Sequence, residues 1–420
     1  MRLESAIRGF QVPGASLAVW HQGQMHVEAA GIACLATGRP VSPDTRFQIG
    51  SITKLLTAAL VHRMLPLETP LWDLLPEWRG TDKAGLTAAL LLSHRSGLDG
   101  DAFEPLGEGE AAASRLLALT AADPLLHPPG MFMSYCNLGF VALGLALARA
   151  RNSSWAELVA TELCTPAGTP GLSPDCSSDD AVGHLGGRKA PVGMLAASNA
   201  AAGTTLRGSA RDGVALLAAM AGWTGRSPLF PGFEEASALL APVPPGHEVT
   251  GFGLGPARFG WSRPCFGHDG MTIGQQGFAR LWPETRTIAL LLANGGDMRG
   301  LARTILSAIA AEFADCAPAA PLEAAAGSQP PVGIWARRNA SLEIQSAGAS
   351  ATLARRQHED WAQKAYGTEG PWPLVPAGPG HWLWAVPCQS LPTPVAQLDD
   401  SSGRAIHLGM RRYNLRDPDC

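Results

Sequence analysis

Ser51 and Lys54, in the run Phe47-Gln48-Ile49-Gly50-Ser51-Ile52-Thr53-Lys54, stand one helical turn apart where an apolar helical pattern begins. On a helix that spacing puts the hydroxyl and the amine on one face. A serine hydroxyl is a weak nucleophile until a neighbouring base takes its proton. A lysine becomes such a base when burial lowers its pKa. A serine at the mouth of a helix also places its own N–H where a developing oxyanion would be held. The chemistry open to this pair is acyl transfer through an ester on Ser51. Lysine occurs only at positions 54, 83, 189 and 364, so the pairing carries weight. A helix-capping serine beside a solvated lysine is the plainer reading of these two residues taken alone.

Two further groups lie downstream. Ser134-Tyr135-Cys136-Asn137 contains the first of only three tyrosines. A phenol beside a lysine can pass a proton to a leaving group, and an asparagine amide can bind a substrate carbonyl. The plainer alternative is a half-buried tyrosine followed by an asparagine that caps the apolar run from Leu138. Gly267-His268-Asp269-Gly270-Met271 precedes two strand-like segments. Its glycines allow close backbone approach, and an edge strand there would present the N–H of Met271 as a second oxyanion donor. The plainer alternative is a tight Asp-Gly turn with an exposed histidine.

The elements that must position these groups follow from periodicity. Ala15–His21 and Met25–Ala30 read as a hairpin turning at Gln22-Gly23-Gln24. Ile52, Leu55, Leu56, Ala59, Leu60 and Met64 recur at helical spacing and predict a helix with one core face. From about Pro66 to Pro174 the pattern is mostly helical, clearest at Trp72–Leu75, Leu86–Leu92 and Leu138–Ala150. Ser209-Ala210-Arg211-Asp212 starts another helix with a capping box. Gln276–Trp282 and Thr287–Ala293 read as strands, the second apolar throughout as a central strand is. Asp297–Phe313 reads as an amphipathic helix. Strands at both ends with helices between predict one sheet built from the two ends of this unit, carrying a helical insert at about 66–180. Residues 317–331 are rich in Ala and Pro and read as a linker. Beyond it, 332–420 shows short alternating stretches separated by turn residues and reads as a small β domain.

Composition narrows the function. The chain has 420 residues, 46% hydrophobic, with a formal net charge of -4. That balance gives no reason to expect nucleic acid or an anionic membrane as partner, and no run of 18 apolar residues predicts a transmembrane helix. Met1–Arg8 lacks the apolar core of a signal peptide, so the cytoplasm is the expected location. The eight cysteines (34, 136, 164, 176, 265, 316, 388 and 420) form no CxxC pair and read as reduced, mostly buried thiols. No His/Cys/Asp spacing fits a metal site, and no cofactor is expected. Gly251-Phe252-Gly253-Leu254-Gly255 imitates a nucleotide fingerprint without the strand-to-helix context it needs. His94 and His127 read as structural. Trp361, Trp372, Trp382 and Trp384 either line a ligand surface or fill a small β core.

Taken together, the three groups resemble the signature set of β-lactamases and penicillin-binding proteins: Ser-x-x-Lys, a middle motif and Lys-Thr-Gly. Asp44–Ser51 is similar to the family's approach to the nucleophile, Leu91–Leu98 to a helix-to-loop segment, and Pro128–Asn137 to the Tyr-x-Asn approach of class C β-lactamases and related esterases. The resemblance covers about residues 10–315. It implies a mixed α/β (α+β) fold, an antiparallel sheet flanked by helices with a helical domain beside it, giving a catalytic unit over 1–316. It also implies that Ser51 is the nucleophile, Lys54 and Tyr135 the acid/base pair, the N–H groups of Ser51 and Met271 the oxyanion donors, and Asn137, His268, Asp269 and Gly270 substrate contacts. His268-Asp269-Gly270 departs from Lys-Thr-Gly. A neutral histidine and an anionic aspartate hold a substrate carboxylate poorly, so potent β-lactamase activity is not expected. A second departure is the early Met64-Leu65-Pro66 after the nucleophile helix. Relatives with a histidine at the third motif resemble esterases, D-amino-acid peptidases and penicillin-binding-protein-type thioesterases that release or cyclise peptides. Some carry a small lipocalin-like barrel at the C-terminus. The expected function is therefore a metal-free serine hydrolase or acyltransferase acting on a small-molecule or peptide acyl substrate. A peptide-releasing or cyclising thioesterase is one alternative, and a slowly acylating binding protein or pseudoenzyme is another.

Overall fold

The computed structural model describes residues 3–191, 193, 195–238, 241–347, 350–387, 392–398 and 403–416, without the side chains of Ala347 and Trp361. Cys388 and Cys420 lie outside these residues. Among them a nine-stranded antiparallel sheet runs, edge to edge, Arg39–Pro40, Gln24–Cys34, Gly14–His21, Thr287–Ala293, Gln275–Trp282, Phe266–Thr272, Ala257–Phe259, Val249–Phe252 and Ala241–Pro242. The predicted N-terminal hairpin is present, and Gly14–His21 pairs with Thr287–Ala293 in the register Ala18 opposite Leu290. The sheet is thus closed by segments about 270 residues apart in sequence.

Thr287–Ala293 is apolar throughout because both its faces are covered. Ile288, Leu290 and Leu292 join the core beneath the helical region, whereas Ala289, Leu291 and Ala293 pack under the helices Leu3–Gly9 and Met298–Phe313. Successive side chains of a strand point to opposite faces, so a strand with two covered faces loses its polar alternation. The same holds for Gln275–Trp282.

On the site side of the sheet lie Thr53–Met64, Asn137–Arg151 and Ala210–Met220. The predicted single core face of Thr53–Met64 is an underestimate: every residue from Thr53 to Val61 is buried. The helix sits between the sheet and the helical region, so it has no solvent face over its first half. It stops at Met64 because Leu65, which precedes Pro66, is extended at φ -124°. Trp72–Leu75 is a set of turns, not a helix. Pro76 excludes Leu75 from helical backbone, and a short 3-10 turn follows at Pro76–Trp78.

Gly333–Arg337, Ala340–Ala347, Ser350–Gln357, Thr368–Pro376, His381–Trp384, Thr393–Gln397, Ala405–Leu408 and Arg411–Leu415 form a closed up-and-down barrel. Each strand pairs with its sequence neighbour, and Trp335 opposite Leu415 closes the ring. Trp335, Trp382 and Trp384 are buried with Leu342, Leu353, Ile406 and Tyr413 in its interior. The indole N–H groups of the three tryptophans donate to the carbonyls of Pro331, Ser328 and Leu353. These tryptophans therefore fill a core, as eight strands allow when no ligand space is left. The Ala/Pro-rich segment before the barrel is packed down: Ala319 N donates to Gly260 O and Ala325 N to Pro376 O.

Candidate active site

Ser51 lies on the 3-10 turn Gly50–Ile52 that feeds directly into the helix from Thr53. Gly50 sits at φ +56°, and a Cβ there would come within 2.6 Å of Met271 N. A Cβ on Gly270 would stand 1.9 Å from Ile49 O. Only glycine at both positions lets the strand Phe266–Thr272 close on the Ser51 turn. That strand is not a simple edge strand. Gly267 pairs with Ala257, but that pairing stops there, and the stretch from His268 to Thr272 pairs on one side with Ala279 to Gln275. The Ser51 turn packs against the face of this stretch at Gly270, where Ile49 O and Ser51 N approach its backbone. Met271 keeps its side chain 62% exposed while its amide nitrogen lies beside Gly50.

Lys54 is completely buried, and its Nζ lies 3.0 Å from Ser51 Oγ. It also donates to Asn137 Oδ1 at 2.6 Å and to Ala202 O at 2.6 Å. Burial pulls the ammonium well below the usual lysine range, against the opposing charge of Asp101. Tyr135 is buried with its phenol in hydrogen-bonding contact with Ser51; burial raises its pKa above the usual phenol value, so it stays protonated. Lys54 Nζ stands 5.0 Å from the Tyr135 ring centre. His94 is structural: it packs on Tyr135 at 4.3 Å between ring centres, and its Nδ1 accepts from Cys136 N.

Asn137 is not the helix cap. Cys136 takes that position, its Sγ accepting from Gly139 N, and the Asn137 side chain turns inward. Its Nδ2 donates to Asp101 Oδ1 at 2.5 Å while its Oδ1 faces Lys54. His268 is buried and its ring centre lies 6.0 Å from that of Tyr135. Burial, with Lys54 nearby, pushes its pKa down to about 3, so it is neutral at pH 7. Asp269 pairs with Arg280 at 2.5 Å, which ties its charge to a neighbouring strand. Burial raises its pKa, opposed by Arg280. The structure thus brings Ser51, Lys54, Tyr135, Asn137, His268 and the backbone of Gly270 and Met271 together, with Asp269 held to the side.

Three contributors escaped the sequence reading. Asp101 is buried and accepts from Asn137; it also accepts from Arg411 Nε at 2.5 Å and pairs with Arg337 at 2.8 Å. Burial alone would raise its pKa, but the two arginines outweigh that and hold it below the usual carboxylate range. Arg411 and Arg337 both come from the barrel. Arg411 also stands 4.9 Å over the Tyr135 ring. The hairpin turn Gly409-Met410, with both residues at positive φ, carries Met410 O to Tyr135 N at 2.8 Å, and Arg412 N donates to Ser134 Oγ. Elsewhere along the same contact, Arg338 N meets Asp99 Oδ2 and Phe103 N meets Glu359 Oε1. The barrel is therefore a wall of the site. Asp99-Gly100-Asp101 offered a faint signal as paired acids in a loop; nothing local marks Arg337 or Arg411.

The Beta-lactamase family model matches residues 3–312. The chain belongs to the beta-lactamase family. It is 31% identical over 322 residues to penicillin-binding protein 4 of Amycolatopsis lactamdurans, covering 68% of this chain and 81% of that protein. It is 30% identical over 188 residues to esterase EstB of Burkholderia gladioli, covering 39% of this chain and 48% of that one. The crystal structure of SurE with D-Leu matches with a TM-score of 0.75 at 25% identity, over 99% of this chain and 97% of that one. This family of serine hydrolases joins the expected fold to the expected class of chemistry, and the SurE match extends through the barrel. Among the described residues no helix is long and apolar enough to cross a membrane.

Proposed function

We propose that Ser51 attacks an ester, thioester or amide carbonyl and becomes acylated, and that Lys54 accepts its proton. The observation that carries this is the fully buried Lys54 amine 3.0 Å from Ser51 Oγ. A neutral lysine has two N–H bonds and one lone pair. Asn137 Oδ1 and the Ala202 carbonyl take the two N–H bonds, which leaves the lone pair for the Ser51 hydroxyl. Tyr135, protonated and in contact with Ser51, passes a proton to the leaving group and is replenished from Lys54. The N–H groups of Ser51 and Met271 hold the oxyanion. Water then hydrolyses the acyl-enzyme, or an amine takes the acyl group.

His268 and Gly270 line the acyl site in this reading, and Asp269, paired with Arg280, braces the strand. With a neutral His268 in place of a cationic residue, a free carboxylate next to the scissile bond gains little. Neutral esters, thioesters and amides are the favoured substrates. The similarity to SurE, known with D-Leu bound, favours a D-configured residue at the reacting position. The proposed substrate is a small-molecule or peptide acyl compound, with no role for nucleic acid or membrane.

The test is intact-protein mass spectrometry with a fluorophosphonate and a p-nitrophenyl ester. A single adduct on the wild type, absent from Ser51→Ala together with nitrophenol release, is the expected result. Wild-type turnover by Ser51→Ala refutes the assignment. An acyl adduct that forms but never turns over favours a slow binding protein. Acyl thioesters of D- and L-ended peptides, offered with and without an internal amine, then separate hydrolysis from cyclisation.

A further inference from the structure

Behind the reacting face, a cavity of about 480 Å³ opens where the catalytic unit, the segment 318–323 and the barrel meet. Its volume falls in the range that accommodates small ligands, about 300–1,000 Å³. Its walls are mostly apolar, with Trp261 and Leu306 from the catalytic unit, Leu322 from the connecting segment and Leu383 from the barrel. Three arginines line it: Arg280, Arg299 and Arg303.

The charges there are unequally matched. Arg280, only 3% exposed, is paired with Asp269 and stacks 3.3 Å from the centre of the Phe259 ring. Its Nε–H is buried without an acceptor among the described residues. Arg303 is paired with Glu248 at 3.3 Å and donates to Ala319 O. Arg299 has no ion-pair partner among the described residues. His247, also on the lining, is kept neutral by burial and the nearby Arg299, with its pKa pushed down to about 4. Glu323 on the lining is solvent-exposed, and the carboxylate whose charge Arg299 does feel, Asp269, is already paired with Arg280. A guanidinium left over beside an apolar wall is matched by a planar anion carrying an apolar body.

We propose that this cavity is a second binding site, separate from Ser51, for a small carboxylate with an apolar chain or ring. Arg299 takes the carboxylate, and Trp261, Leu306 and Leu383 cover the apolar part. The ligand class is that of an acid bearing a hydrocarbon substituent. The site joins three parts of the chain, so its occupancy also ties the barrel and connecting segment to the catalytic unit.

The probe is 4-phenylbutyrate, titrated calorimetrically into the full chain whose Ser51 has first been blocked with a fluorophosphonate. The neutral 4-phenylbutyramide serves as the charge control. For a ligand of this size binding in the millimolar range is expected. Arg299→Glu should weaken it about tenfold or more, and Arg299→Lys, which keeps the charge but not the planar fork, should retain only part of it. The amide should bind at least about tenfold more weakly than the acid. Three results overturn the proposal: no binding by the blocked protein, equal binding of acid and amide, or Arg299→Glu binding like wild type. Binding that appears only with Ser51 unblocked places the probe in the active site and overturns it as well. Thermal unfolding of each variant checks that it is folded. None of these readouts depends on turnover at Ser51.

Discussion

Asp101→Asn tests whether the barrel acts on the chemistry through one buried carboxylate. The substitution keeps the shape and removes the charge. Asp101 accepts from Asn137 Nδ2 at 2.5 Å and from Arg411 Nε at 2.5 Å, and pairs with Arg337 at 2.8 Å. Breaking a buried charge pair from one side costs about 3–5 kcal/mol. Arg411 keeps a quarter of its side chain exposed and Asp99 remains 3.5 Å from Arg337, so about 3 kcal/mol of stability is the expected loss. Asn137 loses an ionised acceptor, a bond worth about 1.5–3 kcal/mol. Its grip on Lys54 slackens, and kcat/KM on a p-nitrophenyl ester should fall roughly 10- to 100-fold. The pH profile gives the sharper readout. The charge of Asp101 raises the pKa of Lys54 and that of Arg411 lowers it. Removing Asp101 lowers the Lys54 pKa further, so more free base exists at low pH and the acidic limb of kcat/KM moves down. Arg411→Met should move the same limb up. The reasoning fails if both limbs move the same way, or if Asp101→Asn leaves both the limb and the plateau unchanged while chemical denaturation shows it folded.

Other substitutions probe the remaining parts. Gly270→Ala drives a Cβ to within 1.9 Å of Ile49 O and 3.1 Å of Ser51 N; it should cost about 1–3 kcal/mol of stability and, by displacing the oxyanion donors, roughly 100-fold or more in kcat. Near-wild-type kcat in that variant would show that the strand and the Ser51 turn do not jointly form the oxyanion site. Acid stability gives another check. His268 has a folded pKa of about 3 against about 6.5 unfolded, so the unfolded chain binds a proton first. Stability is complete above pH 6.5 and falls as the pH drops towards 3, by about 2 kcal/mol between pH 7 and pH 5 from this one group. His268→Asn should flatten the fall in unfolding free energy over that interval, and an unchanged slope argues against a buried neutral imidazole. Loss of the serine adduct in Ser51→Ala remains the first experiment.

Much of this was legible in the chain itself, because the signals were local. Gly50-Ser51-x-x-Lys54 needs only one turn of helix to align its two groups, and Tyr135-Cys136-Asn137 needs only the start of the next. The alternation of Thr287–Ala293 into two cores follows from the pleat once two covered faces are granted. The family's motif order then implied the antiparallel sheet with its helical domain. Local pattern failed where prolines or neighbours overruled it. Trp72–Leu75 has helical composition but lies between Pro70 and Pro76, and Asn137 looks like a cap but cedes that place to Cys136.

What the tertiary structure decided is the electrostatics. The sequence offers Lys54 as an amine on an apolar helix; its reactivity depends on that helix being enclosed on every side, which no single segment specifies. Asp101 and Arg411 are 310 residues apart, yet their contact helps set the protonation of Lys54 and the aim of Asn137. A charge acts across space according to distance and to how much water has been removed between partners. Both quantities exist only after the barrel has docked on the catalytic unit. Residue types and short spacings therefore determined which atoms react, and the packing of distant segments determined the field in which they do so.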